Sequence, residues 1–569
     1  MRQDDKTMPD RIWLQHYPAG VPADIDADRY PSIPGLLDEI VGKYGGRPAF
    51  HNLGRTLSYA ELDKLSRDFA TFLQGLPGMA KGERVAIMSP NLLQYPVALF
   101  GILRAGMIVV NVNPLYTPKE LEHQLQDSGA RAIVVVENFA ATLQQVWRKT
   151  ALQHLITTQV GDLLPIPKRW IVNFVVRTVK KMVPAWRLDG SLTFLEALAR
   201  GAAARFTPVA IAASDLAFLQ YTGGTTGVSK GAMLSHRNLL ANLEQTGVWI
   251  SGSFEAGREI VIAPLPMYHI FCLTSTLSFM TWGSLSVLIS NPRDLPALVA
   301  ELGRWKWSVL SGVNTLFNGL LHTPGFDALD FSSLKVVIGG GAAVQRAVAE
   351  KWKQVTGCYI TEAYGLTEAS PGVSASPLDT PWNGMIGLPF SSTEVTLRNE
   401  DFAALPPWTG DDDVEKHTGE ICVRGPQVML GYWGKPAETA AVMRDGWLTT
   451  GDIGHMNQDG YITITDRKKD MILVSGFNVY PSEIEGVLAS HPGVLECGAI
   501  GVPDARTGEA VKVVIVRKDP QLSSEEVIRH CKAQLAAYKT PRQIEFRDAL
   551  PKSPIGKILR RELRSPPQP

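Results

Sequence analysis

The sequence predicts an α/β protein with a large N-terminal domain, whose α/β sheets are flanked by helices, and a small α+β C-terminal domain. Two observations support this fold class. Short apolar runs alternate with helical patterns over most of the chain, and the composition shifts at DRKKD, residues 466–470. The length of 569 residues suits two to four domains and is ample for a large core.

Five apolar runs predict short buried strands, at 84–89, 108–112, 132–136, 285–289 and 335–338. Helical patterns lie between several of them, for example at 92–105 and 118–128. Strands that alternate with helices at such intervals are typical of parallel sheets. Beyond 466–470, about 100 residues show mixed strand and helix patterns, which predict the smaller domain.

The stretch 260–292 contains no acidic or basic residue and is longer than the roughly 20 residues of a membrane-spanning helix. However, Pro264 and Pro266 interrupt its start, and Gly283 divides it into a helix-like piece and a strand-like piece. We therefore expect a buried helix and strand of the core.

The stretch 168–187 carries six basic and no acidic residues. At about 100° per residue, one helical arc is apolar: Ile171, Val172, Val175, Val179, Met182 and Val183. Arg177, Lys180 and Lys181 lie on the opposite arc. This profile fits a helix in the interface of an anionic membrane, and it also fits a surface helix that covers the core. Pro184 ends the predicted helix in both cases.

The charge balance and the cysteines exclude several classes of protein. The 56 basic and 56 acidic side chains argue against sequence-independent binding to nucleic acid, so we expect no nucleic-acid partner. The cysteines are too far apart for a CxxC pair, a zinc site or a disulfide framework: Cys272, Cys358, Cys422, Cys497 and Cys531. The N-terminus mixes both charges before any apolar run, which is unlike a secretory signal. The sequence thus predicts a large cytoplasmic enzyme.

The string YTGGTTGVSKGAMLSH, residues 221–236, is the first motif with chemical content. Its glycines and hydroxyls can turn backbone N–H groups toward phosphate oxygens, and Lys230 adds a cation. It is not a Walker A loop, because Ser229 precedes the lysine and Gly231 follows it. The glycines alone would also suit a turn that binds nothing, whereas the full string favours a phosphate site.

Four further strings accompany it: GGGAAV (339–344), YGLTE (364–368), TGD (450–452) and PKSPIGKILRREL (551–563). With these motifs the chain resembles the AMP-forming acyl-CoA synthetases of the adenylate-forming superfamily, and most closely the bacterial long-chain fatty acid–CoA ligases. The resemblance implies that ATP activates a long-chain fatty acid as an acyl-adenylate, with release of pyrophosphate. Coenzyme A then takes the acyl group and AMP leaves.

The resemblance also implies a nucleotide site. Its phosphate-binding residues would be Tyr221, Thr222, Gly223, Gly224, Thr225, Thr226, Gly227 and Lys230. Gly340, Gly341 and Ala342 would line the adenine, Tyr364 would stack on it, and Gly365 would also belong to the nucleotide site. Thr367 would contact the α-phosphate and Glu368 would bind Mg²⁺, which favours carboxylate oxygen. Asp452 would accept from the ribose hydroxyls, supported by Arg467. Ala363 departs from the family pattern, which has glycine before Tyr364.

Lys557 is the implied catalytic lysine, which would touch both carboxylate and phosphate oxygens. A cation is needed because a carboxylate must approach an α-phosphate that is itself negative. His269 would lie beside the carboxylate, although a histidine in an apolar stretch is also compatible with a core role. The resemblance makes the small domain (467–569) mobile against the large one (1–466), with its pivot at Lys469. A single strand at 471–481 would then face the site, and Gly476 within it would allow close approach of pantetheine.

Two other interpretations of the function remain open from the sequence. The enzyme could adenylate another acid, such as an aryl acid, or use a carrier-protein thiol as acceptor. A lipid-binding protein with an inactive ATP site would require damage to Glu368, Arg467 or Lys557, and all three residues are present. The remaining expectations are peripheral contact with an anionic membrane through 168–187, on the cytoplasmic face, and a homodimer.

Overall fold

The computed structural model describes residues 11–222, 229–410, 413–475, 477–504, 506–553 and 556–564. The strands up to residue 467 are β1 Pro48–Asn52, β2 Arg55–Ser58, β3 Arg84–Met88, β4 Ile108–Val112, β5 Ala132–Val136, β6 His154–Thr158, β7 Leu192–Thr193, β8 Leu216–Thr222, β9 Lys230–Ser235, β10 Ile260–Ala263, β11 Leu285–Leu288, β12 Val309–Gly312, β13 Val336–Gly339, β14 Ile360–Gly365, β15 Gly372–Ala375, β16 Leu388–Pro389, β17 Glu394–Arg398, β18 Gly419–Arg424, β19 Met443–Arg444, β20 Trp447–Met456 and β21 Ile462–Arg467. The strands after it are β22 Ile472–Val474, β23 Phe477–Val479, β24 Val494–Asp504, β25 Gly508–Arg517 and β26 Gln543–Phe546.

Helices alternate with these strands in the described ranges. They are α1 Ile33–Tyr44, α2 Tyr59–Gln74, α3 Gln94–Arg104, α4 Pro118–Ser128, α5 Ala140–Gln144, α6 Lys168–Phe174, α7 Phe194–Ala202, α8 His236–Ile250, α9 Ile270–Met280, α10 Leu295–Leu302, α11 Asn314–Leu321, α12 Arg346–Thr356, α13 Pro436–Val442, α14 Pro481–Ala489, α15 Ser524–Lys532 and α16 Arg560–Leu563.

Helix α4 illustrates how local sequence fixes an element. Thr117 and Glu120 form a reciprocal capping box at its start, and Pro118 occupies the first turn, where no amide donor is needed. The helix ends at Gly129, which adopts a left-handed φ of 61° that glycine tolerates best. The predicted bounds of this helix, 118–128, are therefore confirmed.

Two large sheets, one of seven and one of nine strands among the described residues, form the N-terminal part. Their spatial orders are β7-β6-β5-β3-β4-β8-β9 and β16-β15-β14-β13-β12-β10-β11-β1-β2. The central pairs are parallel, for example β3 with β4 and β12 with β13, which confirms the predicted α/β class. The uncharged stretch 260–292 forms β10, the mostly buried α9 and β11, as predicted. Within the described ranges, no helix has both the length and the apolar character to cross a membrane.

Two smaller sheets complete the fold described here. One contains β17–β21, and the other contains β22–β26 with α14 packed on β24. The stretch 471–481 was predicted as a single strand, and this is wrong: β22 and β23 form a hairpin. Its turn includes Ser475 at a φ of 52°, which breaks the extended backbone. The C-terminal segment contains an isolated bridge between Lys552 and Ile558 and the short α16.

The basic segment 168–187 departs from its predicted geometry. Helix α6 continues into a π-helical turn, Val175–Val179, and the chain leaves the helix at Lys181 (φ 50°), before Pro184. Trp170 and Phe174 are 61% and 60% exposed, so these rings do not cover the core. The longer helix was predicted because periodicity does not register the wider hydrogen-bond pattern of a π-turn.

Candidate active site

A large cavity opens where the parallel strands β12, β13 and β14 end. Its volume is about 2830 Å³, and its walls come from both large sheets, from β20–β21 and from the C-terminal segment. The carboxyl ends of parallel strands are the usual place for ligands in such sheets. We therefore expect the predicted site residues to lie around this cavity.

The glycine-rich turn after β13 forms one wall. A Cβ atom at Gly340 would lie 3.1 Å from the Ala363 carbonyl oxygen and 3.2 Å from the Phe271 ring, and Gly341 has a φ of 74°. Glycine is therefore required for this close backbone approach. Gly340, Gly341 and Ala342 all line the cavity, as do Gly365, the last residue of β14, and Thr367 just after it.

Asp452 lies at the edge of this wall, beside Tyr364. Its Oδ2 accepts a 2.6 Å hydrogen bond from the Tyr364 hydroxyl, and its Oδ1 lies 3.1 Å from Arg467 Nε. Asp452 and Arg467 face each other in the register of β20 and β21. Burial, then the Asp452 charge, raises the pKa of Tyr364 well above its usual value. The carboxylate keeps lone pairs for further donors, because each oxygen has two.

Glu368 and Lys230 meet around Tyr432. The Tyr432 hydroxyl donates to Glu368 Oε1 at 2.7 Å, and Lys230 Nζ lies 5.0 Å from the centre of the Tyr432 ring. The ring thus separates an anionic group from a cationic group on the same side of the cavity. Thr367 begins the short turn that carries Glu368.

The strand pair β8–β9 carries the ends of the predicted phosphate loop. Thr222 and Lys230 are opposite each other in the antiparallel register, and both line the cavity. The Tyr221 hydroxyl donates to Asp127 Oδ2 at 2.7 Å, so this side chain already has a buried partner. The predicted residues that lie outside the described ranges are Gly223, Gly224, Thr225, Thr226, Gly227 and Gly476.

Lys557 reaches the cavity from the C-terminal segment. Its backbone is held from both directions, since its N–H donates to Ser553 Oγ (3.1 Å) and its carbonyl accepts from the Ser553 N–H (2.7 Å). Burial lowers the pKa of Lys557 to about 8, with a further contribution from the charge of Arg467 and an opposing one from Asp452. The side-chain charges of Arg467 and Asp452 therefore both act on the Lys557 ammonium.

His269 lies at the start of α9 and is half-buried. Burial, then the charge of Lys557, lowers its pKa to about 4. Its Nδ1 accepts from the Phe271 N–H at 3.4 Å, which leaves the proton of the neutral ring on Nε2. His269 therefore offers a neutral donor near the ammonium of Lys557.

The cavity includes an apolar channel lined by side chains of α8 and α9 and by Phe390: Trp249, Ile250, Phe279 and Phe390. Hydroxyls in this region have partners: Thr246 Oγ1 lies 2.8 Å from Ser278 Oγ. Because the polar atoms satisfy one another, the wall presents mainly carbon to the interior. Such a channel suits an alkyl chain.

Two residues that line the cavity have shifted pKa values, although the motifs did not assign these residues to the site. Glu362 is buried, accepts from the Val344 N–H at 3.3 Å, and has its pKa raised to about 7 by burial. Burial and the charge of Arg467 lower the pKa of Lys469, which was identified only as a pivot. Glu362 lies two residues before Tyr364 on β14. Because alternate residues of a strand point to the same face, the sequence alone could have placed Glu362 on the same face as Tyr364.

Two family models match most of the chain. Residues 37–433 match the AMP-binding enzyme family, and residues 483–557 match the AMP-binding enzyme C-terminal domain. A long-chain-fatty-acid–CoA ligase of Escherichia coli O6:H1 is 54% identical over 97% of this chain and 98% of its own. The corresponding ligase of Haemophilus influenzae is 49% identical, with 98% of each chain covered.

Solved structures of CoA ligases share the fold of this chain at lower sequence identity. The anthranilate CoA ligase AuaEII, solved with anthranoyl-AMP, superposes with a TM-score of 0.83 at 25% identity, covering 95% of this chain and 98% of the other. A benzoate CoA ligase from Burkholderia xenovorans has a TM-score of 0.77 at 25% identity, with 94% and 100% coverage.

Proposed function

The chain belongs to the AMP-binding enzyme family, and we propose that it is an AMP-forming ligase that joins long-chain fatty acids to coenzyme A. The fatty acid carboxylate attacks the α-phosphorus of ATP, which gives an acyl-adenylate and pyrophosphate. The sulfur of coenzyme A then attacks the acyl carbonyl, and AMP leaves as the thioester forms. Full-length relatives at 49–54% identity that are named as such ligases support the substrate class.

The observation that carries this proposal is the position of Lys557 in the cavity, close enough to Arg467, Asp452 and His269 to share charge effects with them. Adenylation brings a carboxylate against a negatively charged phosphate. A protonated lysine between the two oxygens reduces their repulsion and stabilises the charge of the transition state. No protein nucleophile is needed for either step.

The nucleotide roles follow the cavity wall. We assign the adenine to the turn 340–342 and the ring of Tyr364, and the ribose hydroxyls to Asp452. Thr367 is assigned to the α-phosphate. The β- and γ-phosphates are assigned to Thr222, Lys230 and the loop between them, whose glycines and hydroxyls suit such a role.

Glu368 fits a magnesium role. Its Oε1 accepts from Tyr432, which leaves Oε2 as an oxygen ligand at the cavity wall. Among the described residues, no cluster of three or more His, Cys, Asp or Glu side chains could hold a metal by itself. One carboxylate beside nucleotide phosphates is a usual environment for Mg²⁺. When bound there, Mg²⁺ would neutralise phosphate charge.

The acyl chain is assigned to the apolar channel that α8 and α9 line, with its carboxylate at the end near His269. The neutral Nε2–H of His269 can donate to one carboxylate oxygen, while Lys557 supplies the positive charge. The channel begins beside Phe271 and extends along α9 to Phe279, a rise of about 12 Å for eight residues.

The test uses the purified chain with ATP, Mg²⁺ and palmitate, with and without coenzyme A. We expect palmitate-dependent pyrophosphate release, and palmitoyl-CoA only when coenzyme A is present. Benzoate serves as the competing acid. Release with benzoate but not with palmitate would overturn the substrate class, and palmitate-dependent release without palmitoyl-CoA would overturn the acceptor.

The division into a large domain, 1–466, and a small mobile domain, 467–569, is part of the same proposal. It is supported by the change of sheet after β21 and by the C-terminal family match, which begins at residue 483. Limited proteolysis with and without ATP tests it. Cleavage within 466–470 that ATP suppresses is the expected result, and cleavage elsewhere would contradict this boundary.

Contact with an anionic membrane is the second part of the proposal. The surface around α6 combines exposed apolar side chains, including Trp170, Ile171 and Phe174, with the exposed cations Lys180 and Lys181. Apolar rings that enter the headgroup region and flanking cations that meet anionic lipid are complementary to such a bilayer. A membrane at this surface would bring the enzyme to the phase that holds its hydrophobic substrate.

Co-sedimentation with phosphatidylglycerol vesicles tests this contact. We expect binding to weaken several-fold in Phe174→Ser and in Lys180→Gln/Lys181→Gln, because each removes one of the two attractions. The exposed pair Lys351→Gln/Lys532→Gln is a charge-matched control and should bind normally. Equal binding by all variants would show that another surface, or none, meets the membrane.

A cytoplasmic location and a homodimer complete the proposal. All five cysteines are free thiols in the structure, which is consistent with a reducing compartment. Cell fractionation with a tagged chain tests the location, and light scattering tests the dimer. Recovery from an oxidising compartment, or a mass of 62.1 kDa at micromolar concentration, would contradict the respective prediction.

A further inference from the structure

Helix α11 meets the C-terminal part of the chain at two points. In its first turn, the Thr315 hydroxyl donates to the Gly556 carbonyl oxygen at 3.0 Å. Just beyond its last residue, His322 Nε2 lies 3.4 Å from Lys518 Nζ. Residues 315 and 322 are two helical turns apart and so lie on the same face. This face is therefore a contact surface for the C-terminal part.

The approach at Gly556 leaves no room for a side chain. Gly556 has a φ of 87°, and a Cβ atom there would lie 2.6 Å from Thr315 Oγ1 and 3.3 Å from Val313 Cγ2. Only glycine combines this backbone conformation with such a close contact. The backbone of the C-terminal segment thus lies directly on the start of α11.

The contact bears on Lys557 because Gly556 is its chain neighbour. Ser553 bonds to both the N–H and the carbonyl of Lys557 and accepts from the Gly556 N–H at 2.9 Å, so residues 556 and 557 are held by the same partner. Fixing the Gly556 carbonyl on Thr315 therefore fixes where the Lys557 side chain enters the cavity.

We propose that Thr315 is a positioning residue for the first half-reaction, because it holds the Lys557 loop against α11. The inference rests on the proposed function. Adenylation joins two anions and depends on a well-placed cation. Attack of a thiol on the carbonyl of the acyl-adenylate is not opposed by the repulsion between carboxylate and phosphate. Loss of the Thr315 contact should therefore slow adenylation and spare thioester formation.

The experiment compares Thr315→Val, which keeps the shape and removes the donor, with Thr315→Ser, which keeps the donor. Thr323→Val is the matched control, because the Thr323 hydroxyl bonds to Gly319 at 2.8 Å within the same region. Adenylation is followed as palmitate-dependent pyrophosphate release without coenzyme A, in a single turnover. Thioester formation is followed separately, from supplied palmitoyl-adenylate and coenzyme A.

We expect Thr315→Val to slow adenylation roughly three- to tenfold, the effect of one hydrogen bond, with thioester formation unchanged. Thr315→Ser and Thr323→Val should behave like wild type. Gly556→Ala should slow adenylation further by displacing the loop. Unchanged adenylation in Thr315→Val, or equal losses in both half-reactions, would overturn the positioning role. A wild-type chain that forms no palmitoyl-adenylate would instead refute the proposed function.

Discussion

The Tyr364 hydroxyl donates a 2.6 Å hydrogen bond to Asp452, a residue 88 positions away in the sequence. The bond joins the end of β14 in the nine-stranded sheet to β20 in a smaller sheet. Asp452 is 4% exposed, and Arg467 lies against its other oxygen. Two sheets are thus joined at the cavity edge through one buried carboxylate.

Tyr364→Phe tests the role of this bond in nucleotide binding. The change keeps the ring and leaves the Asp452 carboxylate with one partner fewer, so its position becomes less defined. We expect the KM for ATP to rise roughly three- to tenfold, with a smaller change in kcat. Tyr461→Phe, at a half-buried ring outside the cavity, is the control. An unchanged KM in Tyr364→Phe would contradict the proposed ribose site at Asp452.

The lowered pKa of Lys557 predicts a pH dependence. The ammonium is the useful form, and it is lost as the pH rises through about 8 rather than near 10.5. We expect kcat/KM for ATP to fall about tenfold per unit above pH 8, since this parameter reports the free enzyme. Lys557→Arg keeps its charge throughout and should show lower activity without this decline. A decline at the same pH in Lys557→Arg would assign it to another group.

Glu362 predicts a pH dependence of stability. Its pKa is raised from 4.5 to about 7 in the folded chain, so the folded state binds more protons than the unfolded state between these values. The free energy of unfolding therefore decreases as the pH rises from 4.5 to 7, by about 3 kcal/mol from this group. Glu362→Gln removes the charged form. We expect its Tm, relative to wild type, to be higher at pH 8 than at pH 5; a pH-independent difference would contradict the raised pKa.

Much of this fold was predictable from local sequence. Strand β4 lies at its predicted bounds, 108–112, because a continuous apolar run suits a strand that is buried on both faces. The bounds of α4 follow from its capping residues. In contrast, the hairpin at 472–479 was missed, because the apolar residues on both sides of Ser475 were interpreted as one strand, although serine followed by glycine is a common turn pair.

The site was predictable only in part. Motifs identified Asp452, Arg467 and Lys557 as candidates, and all three line the same cavity. Their mutual contacts depend on how separate sheets pack, which periodicity and spacing do not encode. The contact between Thr315 and Gly556 spans 241 positions, and neither residue carries a motif role by itself.

Glu368→Gln tests the magnesium role. Replacing the carboxylate by an amide removes a charged ligand and keeps the size of the side chain. We expect the Mg²⁺ concentration for half-maximal pyrophosphate release to rise about tenfold or more, whereas Glu415→Gln, at an exposed carboxylate, should leave it unchanged. An unchanged Mg²⁺ requirement in Glu368→Gln would remove this residue from the metal site.

The most direct test of the central claim is single-turnover pyrophosphate release with ATP, Mg²⁺ and palmitate for Lys557→Ala beside Lys552→Ala. Lys552 lies in the same segment and pairs with Glu496 on the surface. We predict that Lys557→Ala loses at least about a hundredfold in rate, as expected when a transition-state charge partner is removed. Lys552→Ala should remain near wild type. Equal rates for the two variants would contradict the proposed catalytic role of Lys557.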